Sequence, residues 1–398
     1  MKSLSSRPVG ATPTIAIVGG GVIGLGIGWR LAQAGAKVDV FERGTAGRGA
    51  SWAAGGMLAA GIEAEPGEEE LTRLNRASQG MWHAFTRELE TATGADLGYR
   101  GEGTLVIATT ADEVSELRHQ FEIQRGMGIE LAWLDGRAVL AKEPYLSPRT
   151  LAAISSPHDH QVDNRRLAVA LKDAFLAAGG KLHENAPVAA VDVGGARARG
   201  LWLGERHHPA DVVVIAAGAW SRTIGGLPDQ ARPPVRPIKG QLLALRMDSA
   251  APLLSHVVWV PKAYLVPRGD GRLIIGATVE ERGFDDTITA GGMLSLLDAA
   301  WRALPGIEEL AIEETWSGVR PTSRDDAPIL GPSGTDGLVL ATGHHRNGIL
   351  LTPLTIDTIS RHILTGEVDP AIRPFGIERF GRGPAAKGAR ESAAVATP

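Results

Sequence analysis

Three glycines, Gly19, Gly21 and Gly24, stand at G-x-G-x-x-G spacing in 15-IAIVGGGVIG-24. Alone the pattern is weak. Here a strand-like run precedes it, a helical pattern follows it, and a second apolar run ends in Glu42, the context in which the spacing carries chemistry. That chemistry is anchoring a pyrophosphate. Gly19 permits the tight turn, Gly21 leaves room for phosphate against the backbone, and Gly24 lets helix and strand pack closely. The helix N-terminus offers free N–H groups and a partial positive charge. Glu42 can accept hydrogen bonds from both ribose hydroxyls, and its charge disfavours a 2′-phosphate. The competing reading is a glycine-rich turn without a ligand, and four coincident features count against it.

The stretch 47-GRGASWAAGGML-58 follows the second apolar run and is rich in small residues. Such a loop lets backbone approach a flat ring system. Gly55, Gly56 and Met57 are the positions expected against an isoalloxazine, which favours non-covalent FAD over NAD; a flexible Gly/Ala loop is the alternative. Arg320, in WSGVRPT, could clamp a carboxylate bidentately or pair with Asp325 or Asp326; the residues alone favour the ion pair. Tyr264 is one of three tyrosines and either packs or donates a hydrogen bond to a ligand. The run 343-GHHRNGILL-351 crowds His344, His345, Arg346 and Asn347 against an apolar segment read as a helix starting near Arg346. Histidines at a helix start are more often structural, so no acid or base is assigned. The acidic run 63-EAEPGEEE-70 reads as a solvated loop and helix N-terminus, with a substrate entrance as the weaker alternative. HDH at 158–160 and HH at 207–208 lack ligand spacing, so no metal is expected.

The elements that must position these residues alternate strand and helix at the start: 14–18, 22–34, 37–43. A fully apolar strand at 211–218 suits the middle of a covered parallel sheet. From 235 to 280 the texture changes to short alternating strands, an antiparallel meander. The fold class expected is α/β: a Rossmann-type dinucleotide domain (14–62, 150–225 and 325–370) interleaved with an α+β substrate domain on an antiparallel sheet (63–149 and 226–324). Residues 1–13 and 381–398 read as disordered tails. The chain has 398 residues, formal net charge -4, 43% hydrophobic residues and no cysteine. This excludes disulfides and thiolate sites and argues against nucleic acid. The glycines of the early apolar stretch, with Arg30 and Gln33, argue against a membrane span, and the N-terminus lacks the apolar core of a secretory signal.

The motifs IVGGGVIG, FERGTAG, AAGGML, VVVIAAGAWS, RPIKGQ, YLVPRGDGRLIIGAT, WSGVRPTSRDDAPILG and GHHRNGILL occur in this order across nearly the whole chain. Together they resemble the FAD-dependent amine and D-amino-acid oxidase family, glycine oxidases above all. The resemblance implies that Val22 and Ile23 line the phosphate turn, and that Glu42 and Arg43 sit at the adenosine ribose. It implies that Ala50 and Ser51, with Gly55 to Met57, form the flavin loop, that Val188 meets the adenine side, and that Gly218 joins the cofactor site. His344, His345, Arg346, Asn347, Gly348, Ile349 and Leu350 would contact the flavin. Arg320 would bind the substrate carboxylate with help from Tyr264, and Arg346 would be a second group at the substrate. Lys262, Ala263 and Val279 depart from the family pattern.

The reaction so implied is oxidative deamination of glycine, sarcosine or D-alanine by hydride transfer to flavin N5. It gives a 2-oxo acid, ammonia and, with oxygen as acceptor, hydrogen peroxide. A cytoplasmic homo-oligomer that supplies thiazole for thiamine is implied by the same likeness. A D-amino-acid dehydrogenase passing electrons to a quinone shares the motifs, and a nucleotide-binding module without turnover is the alternative of another class.

Overall fold

The structure, a computed structural model, describes residues 13–381. Its first sheet has six strands in the order Ile329–Pro332, Leu338–Thr342, Val212–Ile215, Thr14–Val18, Lys37–Phe41, Lys181–His183. All neighbours are parallel except the edge pair Ile329–Pro332 with Leu338–Thr342. Side chains alternate between two covers. Ile15 and Ile17 face the helices Val22–Gln33, Asn164–Ala177 and Thr352–Thr365, whereas Ala16 and Val18 face the three-stranded sheet spanning 190–209. Burial on both faces is why these strands are apolar throughout rather than alternating. The glycines within Val22–Gln33 are packing positions: a Cβ on Gly26 would lie 2.1 Å from Ile356, and one on Gly28 2.9 Å from Phe175. They let three helices close on one another. Among the described residues no helix is long and apolar enough to cross a membrane.

The second sheet has eight strands in the order Ala311–Thr322, Arg236–Arg246, Arg272–Gly276, Ala263–Pro267, Val257–Val260, Thr104–Ala108, Ala152–Ser156, Ala132–Asp135. One pairing, Val257–Val260 with Thr104–Ala108, is parallel; the rest are antiparallel. Leu243 and Leu245 pack under the helix Ala290–Ala303, while Leu242 and Ala244 lie with Trp259 and Tyr264 on the opposite face. That opposite face looks toward the first unit.

The boundaries drawn from sequence divide some elements differently from the packing. Ala152–Ser156, placed in the first unit by a boundary at 150, pairs within the eight-stranded sheet. The helix Glu69–Thr93, placed in the second unit, buries Leu71, Leu74, Trp82, Phe85 and Leu89 in the core of the first. Both errors come from dividing by chain order where partners are set by distant residues. No α-helix starts at Arg346 either. His345–Asn347 is a single 3-10 turn, and the helix is Thr352–Thr365, with Pro353 in its first turn, where proline loses no intrahelical bond. The tails expected to be disordered lie almost wholly outside the described residues.

Candidate active site

A cavity of about 720 Å³ runs between the two units. Every residue singled out from sequence as a cofactor or substrate contact lines it except Gly24. Gly24 instead meets its packing role: a Cβ there would stand 1.9 Å from the Gly19 carbonyl oxygen. Gly19 has φ +110 and sits so close to Ala216 that a Cβ would come within 2.4 Å of its carbonyl oxygen. Gly21 differs. Its Cβ would meet only the Ser51 hydroxyl, at 3.1 Å, so the space before it is cavity. The Val22 N–H donates to Ser51 Oγ at 3.1 Å, leaving the helix start otherwise without a side-chain cap.

Glu42 lines the cavity and also braces the turn, its oxygens accepting from Gly20 N at 2.8 Å and Gly44 N at 3.0 Å. Carboxylate oxygens have lone pairs to spare for ribose hydroxyls. Beside it, the Arg43 guanidinium lies 3.4 Å over the Trp220 ring. Val188 and Gly218 complete this end.

Farther along, the loop carrying Ala50, Ser51, Gly55, Gly56 and Met57 is held from behind. Asn164 Nδ2 donates to the carbonyls of Ser51 and Trp52 at 2.8 and 3.0 Å. Buried Arg268 donates to Gly55 O at 2.8 Å and Val162 O at 2.7 Å, and burial lowers its pKa to about 10. The small residues serve more than cofactor approach. A Cβ on Gly55 would strike the Tyr264 ring at 2.9 Å, and so would one on Gly276, at 2.6 Å. The tyrosine is therefore wedged between two glycines. Burial pushes its pKa up to about 12, so the phenol remains a hydrogen-bond donor at neutral pH.

Arg320 reaches the cavity from Ala311–Thr322. Its guanidinium is anchored by the carbonyls of Lys239 and Thr278, at 3.3 and 3.1 Å, and lies across Gly240, whose Cβ would meet it at 2.6 Å. The ion pair favoured by the residues alone does not form. Asp325 pairs with Arg379 at 2.7 Å, Asp326 has a buried oxygen without a partner, and no ion pair among the described residues uses Arg320. With its hydrogen bonds among the described residues going to carbonyls, this partly buried cation has donors free for an anion.

His344 to Leu350 wrap the same cavity. His344 Nε2 contacts Thr355 Oγ1 at 3.2 Å, and His345 Nδ1 contacts Thr322 Oγ1 at 2.7 Å. Burial lowers their pKa values to about 4 and 3, with Arg346, Arg320 and Arg236 adding to the effect on His345. Both rings are neutral at working pH. Arg346 lines the cavity but is engaged: Nε to Glu63 Oε2 at 3.0 Å, Nη2 to Glu68 Oε2 at 3.0 Å, and Glu65 at 3.6 Å. The acidic run is thus not simply solvated. Glu69 and Glu70 do open a helix, but Glu63 turns into the cavity. Sequence reading missed Arg268, Asn164 and Trp259, and took Glu63 as part of a solvated run. For Glu63 a signal existed: it interrupts Leu58, Ala59, Ala60, Ile62 and Ala64, all buried.

A dinucleotide-type turn facing an antiparallel sheet across one cavity, with an arginine awaiting an anion, defines a dinucleotide-dependent oxidoreductase of two interleaved units. The chain belongs to the FAD dependent oxidoreductase family (DAO), whose family model matches residues 14–360. It is 38% identical to a glycine oxidase of Geobacillus kaustophilus (strain HTA426), over 92% of this chain and 96% of that protein. The crystal structure of glycine oxidase from Geobacillus kaustophilus superposes with a TM-score of 0.85 at 36% identity, covering 92% of this chain and 99% of that one. A bifunctional protein ThiO/ThiG of Synechocystis sp. (strain ATCC 27184 / PCC 6803 / Kazusa) is 36% identical over 93% of this chain, which spans 54% of that longer protein. The cavity fits the flavin nucleotide the family requires, because the Gly21 cradle would be filled by a single methyl group.

Proposed function

We propose that this enzyme oxidises glycine, or an equally small amino acid such as sarcosine or D-alanine. With water and oxygen consumed, the products are a 2-oxo acid, ammonia or the corresponding amine, and hydrogen peroxide. The observation that carries the reading is Arg320, a cavity-lining cation whose hydrogen bonds among the described residues go to carbonyls, with the Tyr264 phenol in the same cavity. Bound FAD would supply the two-electron acceptor for the substrate's Cα–H.

The chain's residues would divide the work by region. Gly19, Gly21, Val22 and Ile23 would hold the pyrophosphate, with Glu42, Arg43, Val188 and Gly218 toward the adenosine. Ala50, Ser51, Gly55 to Met57 and the run His344–Leu350 would enclose the flavin. Arg320 would take the substrate carboxylate in charge-assisted hydrogen bonds, and the Tyr264 hydroxyl would donate to it. Neutral His344 and His345 would leave the substrate arginine uncontested. Likeness to the ThiO/ThiG protein supports a role in supplying thiazole for thiamine.

A peroxide assay of FAD-loaded protein with glycine, sarcosine and D-alanine tests the proposal. Turnover of at least one is expected. No turnover of any, in oxygen or with an artificial electron acceptor, would overturn it; turnover only with the acceptor would make the enzyme a dehydrogenase.

A further inference from the structure

An amino acid reaches such a cavity mainly as a zwitterion, and an ammonium nitrogen has no lone pair to support loss of hydride from Cα. One proton must leave nitrogen first. Arg320 accounts for the carboxylate end, but the amine end has no partner in the assignments above. Two carboxylates line the cavity among the described residues, Glu42 and Glu63. Glu42 lies at the phosphate turn with both oxygens on backbone N–H groups. Glu63 lies at the other end, close enough to Arg320 and Tyr264 for its charge to be felt by the tyrosine and for Arg320 to act on it.

The structure builds Glu63 as a fixed group rather than a loop residue. Asp159, itself fully buried, accepts from Gly61 N and Ile62 N at 2.8 Å each. Gln124 Nε2 donates to Ile62 O at 2.8 Å and Ala64 O at 3.2 Å. The backbone on both sides of Glu63 is thus pinned. Its side chain is 13% exposed, and Arg346 engages Oε2; Oε1 has no hydrogen-bond partner among the described residues.

We propose that Glu63 is the amine acceptor of this site: Oε1 pairs with the substrate ammonium and removes one proton from nitrogen before the Cα–H bond is broken. The inference rests on the amino acid reading above. In this step an N–H bond breaks, its electron pair stays on nitrogen, and an O–H bond forms on the carboxylate. No electron changes hands, and the proton passes to water after product leaves. Glu63 is then a catalytic residue, and Asp159 and Gln124 are positioning residues acting through it. Competing bases are poor, because His344 and His345 are held neutral with pKa values of about 4 and 3. Glu63 is suited to the task. Burial raises its pKa to about 7 against the opposing pull of Arg346 and Arg320, with Asp159 assisting the rise, and an effective general base titrates near the working pH.

The test compares wild type, Glu63→Gln and Glu63→Asp as FAD-loaded proteins, by kcat/KM for glycine from pH 5.5 to 9 and by calorimetric binding of glycine and of acetate, which lacks the amine, to enzyme whose flavin has first been reduced with dithionite in the absence of oxygen. Wild type should lose activity as pH falls through about 7. Glu63→Gln should lower kcat/KM on the order of 100-fold at pH 7.5 and remove the break near pH 7, leaving activity that climbs with free amine across the whole range. It should weaken glycine binding but not acetate binding. Glu63→Asp should restore part of the break, and it carries the test alone if the Gln variant fails to retain FAD. An intact break in Glu63→Gln, or equal losses for glycine and acetate, would overturn the proposal. The binding arm needs no turnover: a wild type inactive on amino acids refutes the amino acid reading, while the acetate and glycine comparison still judges Glu63.

Discussion

Replacing Gly21 and Gly24 separately by alanine should pull apart two functions that one sequence motif combines. At Gly24 the new Cβ would sit 1.9 Å from the Gly19 carbonyl oxygen, more than 1 Å inside normal contact, and the obstacle is backbone. The helix must move off the strand, an overpacking that costs about 1–3 kcal/mol or more before any ligand is considered. At Gly21 the backbone is extended, with φ -80 and ψ -180, a conformation alanine adopts freely. Among the described residues beyond its chain neighbours, the one atom near the new Cβ is Ser51 Oγ, at 3.1 Å, a hydroxyl that can rotate. Loss of the glycine N-cap costs about 0.5–1 kcal/mol, and the stiffer unfolded chain offsets about as much. The apoprotein should therefore melt within roughly 3 °C of wild type. In the holoenzyme the same methyl stands where pyrophosphate must approach. A steric cost of about 1–3 kcal/mol there converts to a 5- to 150-fold weaker FAD affinity. Fluorescence titration of apoprotein with FAD, beside thermal melts without it, measures both. Gly24→Ala should fail in both assays and Gly21→Ala only in the titration. Wild-type FAD affinity in Gly21→Ala would refute the phosphate cradle.

Arg320→Ala should raise KM for the amino acid about 100-fold, from loss of charge-assisted bonds worth about 1.5–3 kcal/mol, while the protein stays yellow; steady-state kinetics with a flavin spectrum checks this. Tyr264→Phe should raise KM about tenfold on the same scale and leave FAD affinity unchanged, since the ring still fills the space between Gly55 and Gly276. Arg268→Ala should lower unfolding free energy by on the order of 3 kcal/mol, because the carbonyls of Gly55 and Val162 lose a buried donor. Urea titration measures that, and stability within 1 kcal/mol of wild type would remove Arg268 as the strut of the flavin loop.

The nucleotide unit was legible because its signals are local. A strand, three spaced glycines, a helix and Glu42 occupy 29 consecutive residues, 14–42, and each restricts its neighbours. The motif order also marked Arg320 and Tyr264, and the structure brings both to the cavity. What could not be read is what depends on distant pairing. Arg346 was expected at the substrate, but its charge is already shared by three glutamates from a segment some 280 positions earlier. The acidic run looked solvated because charge density suggests water; only the packing of Ile62 and Ala64 and the Asp159 anchor turn one of its carboxylates inward. Likewise the helix expected at Arg346 begins at Thr352, since a buried polar turn can be satisfied by side chains that the local sequence does not contain.

The central claim is that this cavity brings a small amino acid to a bound flavin. Anaerobic mixing of FAD-loaded enzyme with glycine, sarcosine or D-alanine, followed by flavin absorbance, tests it most directly. The oxidised flavin band should bleach with at least one of the three and return, with peroxide formation, when oxygen is admitted. An absorbance unchanged by all three at saturating concentration would contradict it.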